Sequence, residues 1–383
     1  MAMDVDGTET PTPPSSAQLS EFTRQSKPSR IVIDPEGDLC LTVGEERVEE
    51  DDPPVTFLVC SKTMARTSPV WKRMLYGGFA ESVQPKSASG KEWIVSLPED
   101  HPQAVQTLLN IMHGYFDKIP LVIDFSATGT SEKAMGSIDL YHLYCLTVVT
   151  DKYDCTRIIR PWAKGWTTSI ATNGPLTNGY SKSSDAQYLP WIFWELGDVA
   201  MFRETAKHLI LNCTTNSEGE LQLQSESEGA VPLFGCIIEP PDFSTFVRNR
   251  RLKVIEPMLK PVQDAAEHLL QKEDEIKHKR LCKMKNRESI CYATMLGVTC
   301  RSLTHDHLWP VPRPEELHIS TLQLAYRLLF TDSRSRLPNH EDCFALTNIE
   351  QIIKKSLGDV SSQLAGSYTQ HLQAQADKTG LSS

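Results

Sequence analysis

Residues 38–44 read DLCLTVG and residues 57–62 read FLVCSK; residues 68–71 read SPVW and residues 74–82 read MLYGGFAES. Apolar residues alternate in the first two pieces, which predicts two half-buried strands. The acidic, proline-containing residues 45–54 connect these strands as a hairpin. The last two pieces predict a short helix, because Ser-Pro is a typical helix start and Gly-Gly a typical end.

The following residues extend this small sheet and add helices to it. A third strand is predicted at residues 93–97 and a strand-like patch at residues 121–123. A helix beginning at Asp100 and Pro102 has apolar residues at helical spacing, and two more helices are expected. Strands followed by helices indicate an α+β fold. The two further helices are predicted at residues 138–153 and 155–168.

The rest of the chain has mainly helical patterns. We expect a disordered tail at residues 1–29, an α+β domain at residues 30–170, a linker at residues 171–187 and a helical C-terminal region at residues 188–383. Within the last region, the acidic residues 216–229 are expected to form an exposed loop. Its helices are predicted at residues 199–213 (with Trp191, Trp194 and Leu196 leading into the first), 241–287 (broken near Pro257 and Pro261), 315–330 and 347–364.

Composition restricts the classes of function. The chain has 383 residues, 40% of them hydrophobic, and a net charge of -10. An acidic chain tends to repel nucleic acid and anionic membranes, so neither is an expected partner. No apolar run of about 18 residues suggests a membrane span. The N-terminus lacks the apolar core of a signal peptide, so the expected location is the cytoplasm or nucleus, where the ten cysteines would stay reduced.

The quoted segments, taken in order, resemble the opening of a BTB/POZ domain. Residues 38–44 are similar to the first-strand pattern of that family, and residues 74–82 to its Met-Leu-x-Gly-x-Phe-x-Glu-Ser pattern. Cys60 stands near the position of the usual histidine. Residues 151–155, DKYDC, followed by Pro161-Trp162, resemble a fungal set of BTB proteins with a helical C-terminal region. The resemblance covers residues 30–170 and extends loosely beyond them.

The resemblance implies a protein–protein interaction module with no catalysis and no cofactor. Phe79 and Glu81 fit the element with which some BTB adaptors touch a cullin scaffold, and Met74 and Leu75 belong to the same partner-binding segment. The alternative for this element is that Phe79 packs on its own domain and Glu81 is only solvated. Many BTB domains also form homodimers. A cullin-ligase adaptor and a dimeric, transcription-associated or structural scaffold therefore both stay open.

Other reactive residue types give weaker signals. Cysteines and histidines between residues 282 and 343 lack the close pairs of a zinc site, so no metal is expected. Enzyme motifs for nucleotides, acyl transfer or metalloproteolysis are missing from the sequence, which leaves an enzyme hidden in the helical region as the least favoured hypothesis. The tryptophans at 162, 166, 191 and 194 are expected in the core. The basic residues at 277–287 and 248–251 are interpreted as either nuclear import signals or solvated helix faces.

Overall fold

The computed structural model describes residues 29–47, 53–85, 91–123, 125, 138–177, 184–225, 229–270, 288–334, 346, 348–361 and 366–382. They form a mixed α+β structure with a helical C-terminal region, as predicted. The predicted tail and the basic residues 277–287 lie outside these ranges. The strands are β1 (Ser29–Val32), β2 (Leu39–Val43), β3 (Val55–Val59), β4 (Ile94–Leu97), β5 (Thr214–Thr215), β6 (Leu221–Ser225) and β7 (Gly229–Pro232).

Twelve helices and several short 3-10 turns lie in the described part of the chain. From the N-terminus they are α1 (Ser61–Thr67), α2 (Pro69–Tyr76), α3 (Pro102–Met112), α4 (Leu140–Lys152), α5 (Arg160–Asn173), α6 (Leu189–Leu196), α7 (Val199–Asn212), α8 (Phe243–Leu270), α9 (Glu288–His305), α10 (Thr321–Arg334), α11 (Ile349–Gly358) and α12 (Gly366–Thr379).

The first sheet has the strand order β1-β3-β2-β4. β2 and β3 are antiparallel, with Leu41 opposite Phe57, which confirms the predicted hairpin. β1 runs parallel to β3, and β4 runs parallel to β2. All five residues of β2 are buried, so the prediction of a half-buried strand was wrong. Side chains alternate between the two faces of a strand, and the burial of Cys40 and Thr42 shows that the second face is also covered.

The start of α2 follows the predicted cap chemistry, whereas the cap of α3 is His101 and not the predicted Asp100. Ser68 caps α2 by accepting a hydrogen bond from the Trp71 backbone N–H at 3.0 Å, with Pro69 in the first turn. His101 caps α3 in the same way through Ala104. Helix α1 begins at Ser61, and Cys60 stands at its N-cap position.

A second sheet lies where the sequence predicted an exposed loop. β6 pairs with both β5 and β7 in antiparallel register. Leu221 and Leu223 are buried, while Gln222 and Gln224 are more accessible. This period-two pattern forms a strand because its apolar face packs against the core. The predicted strand at residues 121–123 does not form, since the described residues there make only the single bridge between Ile123 and Ile138.

The long helix is continuous through its two prolines. α8 contains Pro257 and Pro261 and is not broken at either. Its buried stripe includes Ile255, Met258 and Val262, and this packing holds the helix where local propensity would end it. The part predicted beyond residue 270 lies outside the described residues. Residues 315–316 form a 3-10 turn, so the next helix starts later than predicted.

One hydrophobic core extends from the first sheet to α12. It includes Leu41 in β2, Trp166 in α5, Leu196 in α6 and Leu372 in α12. The C-terminal helix therefore packs on residues of the predicted N-terminal domain, and the domain boundaries at 170 and 187 stay predictions. Among the described helices, none is long and apolar enough to cross a membrane.

Candidate interaction groove

Helix α2 and the turn that follows it border an open groove of about 570 Å³. Phe79 stands at its edge with 52% of its surface exposed, an unusual position for a phenylalanine. Met74 is half-buried and Glu81 is exposed. The structure therefore brings three of the predicted partner-binding residues to one surface. The lining residues are Pro69, Val70, Arg73, Met74, Phe79, Glu81 and Asp154.

Leu75 was predicted to bind a partner but does not lie on the groove surface. Its side chain is fully buried, so it contributes no surface to the groove. Adjacent residues of a helix point in different directions, and Leu75 and Trp71 form the face of α2 that packs on the core. Leu75 thus anchors the helix that carries the groove.

The backbone around Phe79 is fixed although its ring faces solvent. The Gly77 N–H donates to the Arg73 carbonyl at 2.7 Å, which ends α2. Gly78 then adopts a φ of +88°, a conformation that side-chain-bearing residues rarely take. The Ser82 hydroxyl donates to the Phe79 carbonyl at 2.6 Å, and the Trp93 indole N–H donates to the Glu81 carbonyl at 2.7 Å. These bonds present Phe79 and Glu81 in a set geometry.

The residues 151–156, here called the acidic turn, support the groove from behind. Within it, the Tyr153 ring stacks on Trp71 with the centroids 4.4 Å apart. The Ser68 hydroxyl donates to the Tyr153 carbonyl at 2.5 Å. The Tyr153 hydroxyl donates to Asp100, and Lys152 forms an ion pair with Asp100 at 2.6 Å. Burial, together with the Asp100 carboxylate, raises the pKa of Tyr153.

A second polar cluster anchors the start of α1 and the end of α2. Asp38 accepts hydrogen bonds from both the backbone N–H and the hydroxyl of Ser61, at 2.8 and 2.6 Å. The same hydroxyl lies 2.6 Å from the Tyr76 hydroxyl. Asp38 is the first residue of the quoted DLCLTVG segment and directly precedes β2, so its carboxylate ties β2 to α1 and, through the Ser61 hydroxyl, to the end of α2.

The groove has an uneven distribution of charge. Arg73 provides one cation, and Glu81 and Asp154 provide two carboxylates. Asp154 has a φ of +45°, and its carboxylate lies 4.0 Å from the ammonium of Lys378 in α12.

Four residues of this surface were not predicted from the sequence, namely Asp154, Arg73, Pro69 and Val70. The DKYD element was the available signal for Asp154, but its distance from Phe79 in sequence gave no indication that both residues line one groove.

The other residues singled out in the sequence lie elsewhere. The four tryptophans at 162, 166, 191 and 194 are buried, which confirms their assignment to the core. The described residues contain no group of three or more acidic, histidine or cysteine side chains that could hold a metal ion, while Cys282, His340 and Cys343 lie outside those residues.

The basic residues 248–251 do not form one solvated face. Arg251 is 2% exposed and donates to the carbonyls of Leu317 and Ile319 at 2.9 and 2.6 Å. Burial lowers its pKa. Arg251 therefore holds the segment before α10 against α8, which removes it from any surface import signal.

Comparison with known proteins found no match among family models, curated proteins or solved structures.

Proposed function

We propose that this chain is a BTB/POZ-type interaction protein that binds a protein partner through the groove at Phe79. The exposed Phe79 ring, held on a hydrogen-bonded turn beside a groove of apolar and charged side chains, is the observation that carries the proposal. Large aromatic side chains that are exposed and preorganised are typical anchors of protein interfaces. A binding function requires no catalytic side chain in the groove.

The partner that this surface fits best is a cullin scaffold, as the family resemblance implies. Phe79 would fill an apolar pocket of the scaffold, and Glu81 would fix the orientation through a basic or hydrogen-bond-donating group. In that arrangement the chain acts as an adaptor, and its helical C-terminal region is available for the protein to be ubiquitinated.

Affinity capture tests the adaptor function. The tagged chain, its Phe79→Ala/Glu81→Lys variant and a matched Phe116→Ala/Glu99→Lys control are used to capture proteins from the cells that express the chain. Phe116 is 59% exposed and Glu99 is also exposed, so the control makes the same chemical changes away from the groove. We expect a cullin with the wild type and the control and not with the groove variant. A cullin missing from all three samples would remove the adaptor function.

A dimeric scaffold is the second candidate. β1 and β4 form the two edges of the first sheet, and each exposes a large apolar side chain, Val32 at 53% and Ile94 at 58%. Exposed apolar edges favour pairing with another strand. Sedimentation of the wild type and of Ile94→Lys over a range of concentrations distinguishes the two functions, because a dimer lost in the variant would favour the scaffold. A wild-type monomer at high micromolar concentration would argue against it.

A further inference from the structure

The C-terminal helix α12 packs directly on the α6–α7 junction. Gly197 has a φ of +78°, and a Cβ placed on it would lie 2.1 Å from the Ala376 backbone nitrogen. The Thr379 hydroxyl donates to the Leu196 carbonyl at 2.7 Å. The His371 ring stacks on Trp194 with the centroids 3.6 Å apart. Such a close approach of two backbones tolerates little displacement before these contacts are lost.

A buried carboxyl group lies between α12 and the acidic turn. Glu195 is fully buried, and its carboxyl accepts hydrogen bonds from the hydroxyl of Thr156 and, at 2.7 Å, from the side-chain amide of Gln375. Both donors are neutral. The Gln375 side-chain oxygen has no hydrogen-bond partner among the described residues. Rotating that amide by 180° would let a protonated Glu195 donate to the Gln375 oxygen.

The same turn forms part of the groove. Asp154 lines the groove beside Val70, and Tyr153 stacks on Trp71 of α2. Lys378 of α12 reaches Asp154. A continuous set of contacts therefore leads from α12 through Glu195 and residues 151–156 to the helix that carries the groove.

We propose that α12 is a latch that controls the Phe79 groove, and that loss of the Glu195 proton releases it. The inference rests on the proposed function, because it names a regulation of the same groove. With α12 docked, the acidic turn is held in place and the groove keeps its shape. When Glu195 ionises, a buried negative charge faces only neutral donors at hydrogen-bonding distance, and undocking of α12 lets water reach it.

The charges around Glu195 support release as the pH rises. Asp151 and Asp154 disfavour its ionisation, while the hydrogen bond from Thr156 and the charge of Lys378 favour it. Further titratable groups on the packed elements include Cys155, Arg157, Arg160, Tyr368, His371 and Asp377. Burial is the largest cause, and the pKa of Glu195 is raised to about 8. We take the carboxyl to have its ordinary pKa once α12 is undocked. The equilibrium constant for opening then rises about tenfold per pH unit up to about pH 8.

Hydrogen exchange of the full chain between pH 6 and 9 tests the latch. The protection factors of α12, residues 151–156 and residues 69–83 are compared in the wild type and in Glu195→Gln. In the wild type we expect all three to fall together, about tenfold per pH unit, and to level off above about pH 8. In Glu195→Gln they should not change with pH. A wild type whose α12 protection is independent of pH would overturn the proposal, and so would opening of α12 that leaves residues 69–83 unchanged.

A second variant covers the case in which Glu195→Gln fails to fold. Thr379→Val removes the bond to Leu196 and leaves the carboxyl group untouched. It should lower the protection of α12 and of the groove by a constant factor while the pH slope stays as in the wild type. No partner is needed for these measurements, so a chain that opens as described but never captures a cullin would contradict the proposed function and leave the latch standing.

Discussion

Tyr153 joins the groove to the sheet side of the molecule through one hydroxyl group and one ring. The ring covers Trp71, and the hydroxyl donates to Asp100, which is 6% exposed. Replacing Tyr153 by Phe keeps the stack but leaves one carboxylate oxygen of Asp100 without this donor. We expect a loss of about 1–3 kcal/mol in the free energy of unfolding, measured by urea titration. Tyr326→Phe, at a 62% exposed site, is the control. An equal stability of wild type and Tyr153→Phe would contradict this account.

Glu195 gives the molecule a predictable dependence of stability on pH. Its folded-state pKa of about 8 lies above the ordinary value of 4.5, so the folded chain holds a proton that the unfolded chain has lost. The stabilisation is complete below about pH 4.5, declines as the pH rises and is gone above about pH 8. The slope from this one group is roughly 1.4 kcal/mol per pH unit within that range. Glu195→Gln should remove this component, as read from urea unfolding at pH 5, 6, 7 and 8. An unchanged pH profile in the variant would show that Glu195 ionises normally.

At the scale of elements, the α6–α7 junction depends on a glycine for two separate reasons. Gly197→Ala introduces both an unfavourable φ and a clash with the α12 backbone, whereas Gly219→Ala introduces only the φ, since nothing lies within 4 Å of its Cβ position. Gly219→Ala should lower the free energy of unfolding by about 1–2 kcal/mol. Gly197→Ala should lower the free energy of unfolding clearly more, and α12 should be the first element to lose hydrogen-exchange protection. Melting temperatures and hydrogen exchange of the two variants check this, and equal costs would show that α12 can shift to make room.

Some elements were predictable from the sequence and others were not, for physical reasons. The hairpin and the start of α2 depend on local signals, namely alternation and a Ser-Pro cap, and both were predicted correctly. The alternation at residues 221–224 was also present, but the surrounding acidic residues suggested a loop. Prolines normally end helices, and only the tertiary packing of α8 shows why they do not end this one. α12 was missed because its buried Tyr368, Leu372 and Ala376 are separated by polar residues.

The candidate site was predictable only in part for a related reason. Phe79 and Glu81 are neighbours in sequence, so a local pattern was sufficient to propose them. Asp154 joins them through tertiary structure, and Leu75 leaves them because helix geometry turns its side chain inward. Contacts between distant residues and the direction of each side chain are set by the fold, and one sequence does not display them.

At the scale of the whole molecule, the proposed binding surface rests on a core that continues into the C-terminal helix. Truncation after residue 365 should therefore affect more than the C-terminal region. Removal of α12 takes away the buried Leu372 and exposes the fully buried Glu195 and Leu196. We expect a lower melting temperature and reduced exchange protection in residues 151–156. A truncated chain with wild-type stability and protection would show that α12 is dispensable for the fold.

The most direct test of the central claim is a calorimetric titration of the full chain with the purified N-terminal half of each cullin type. Wild type and Phe116→Ala should bind one of them with equal affinity. Phe79→Ala should bind the same cullin at least about 30-fold more weakly, as expected when a central aromatic anchor is truncated. Equal affinities for Phe79→Ala and wild type, or no binding of the wild type to any cullin, would contradict the claim.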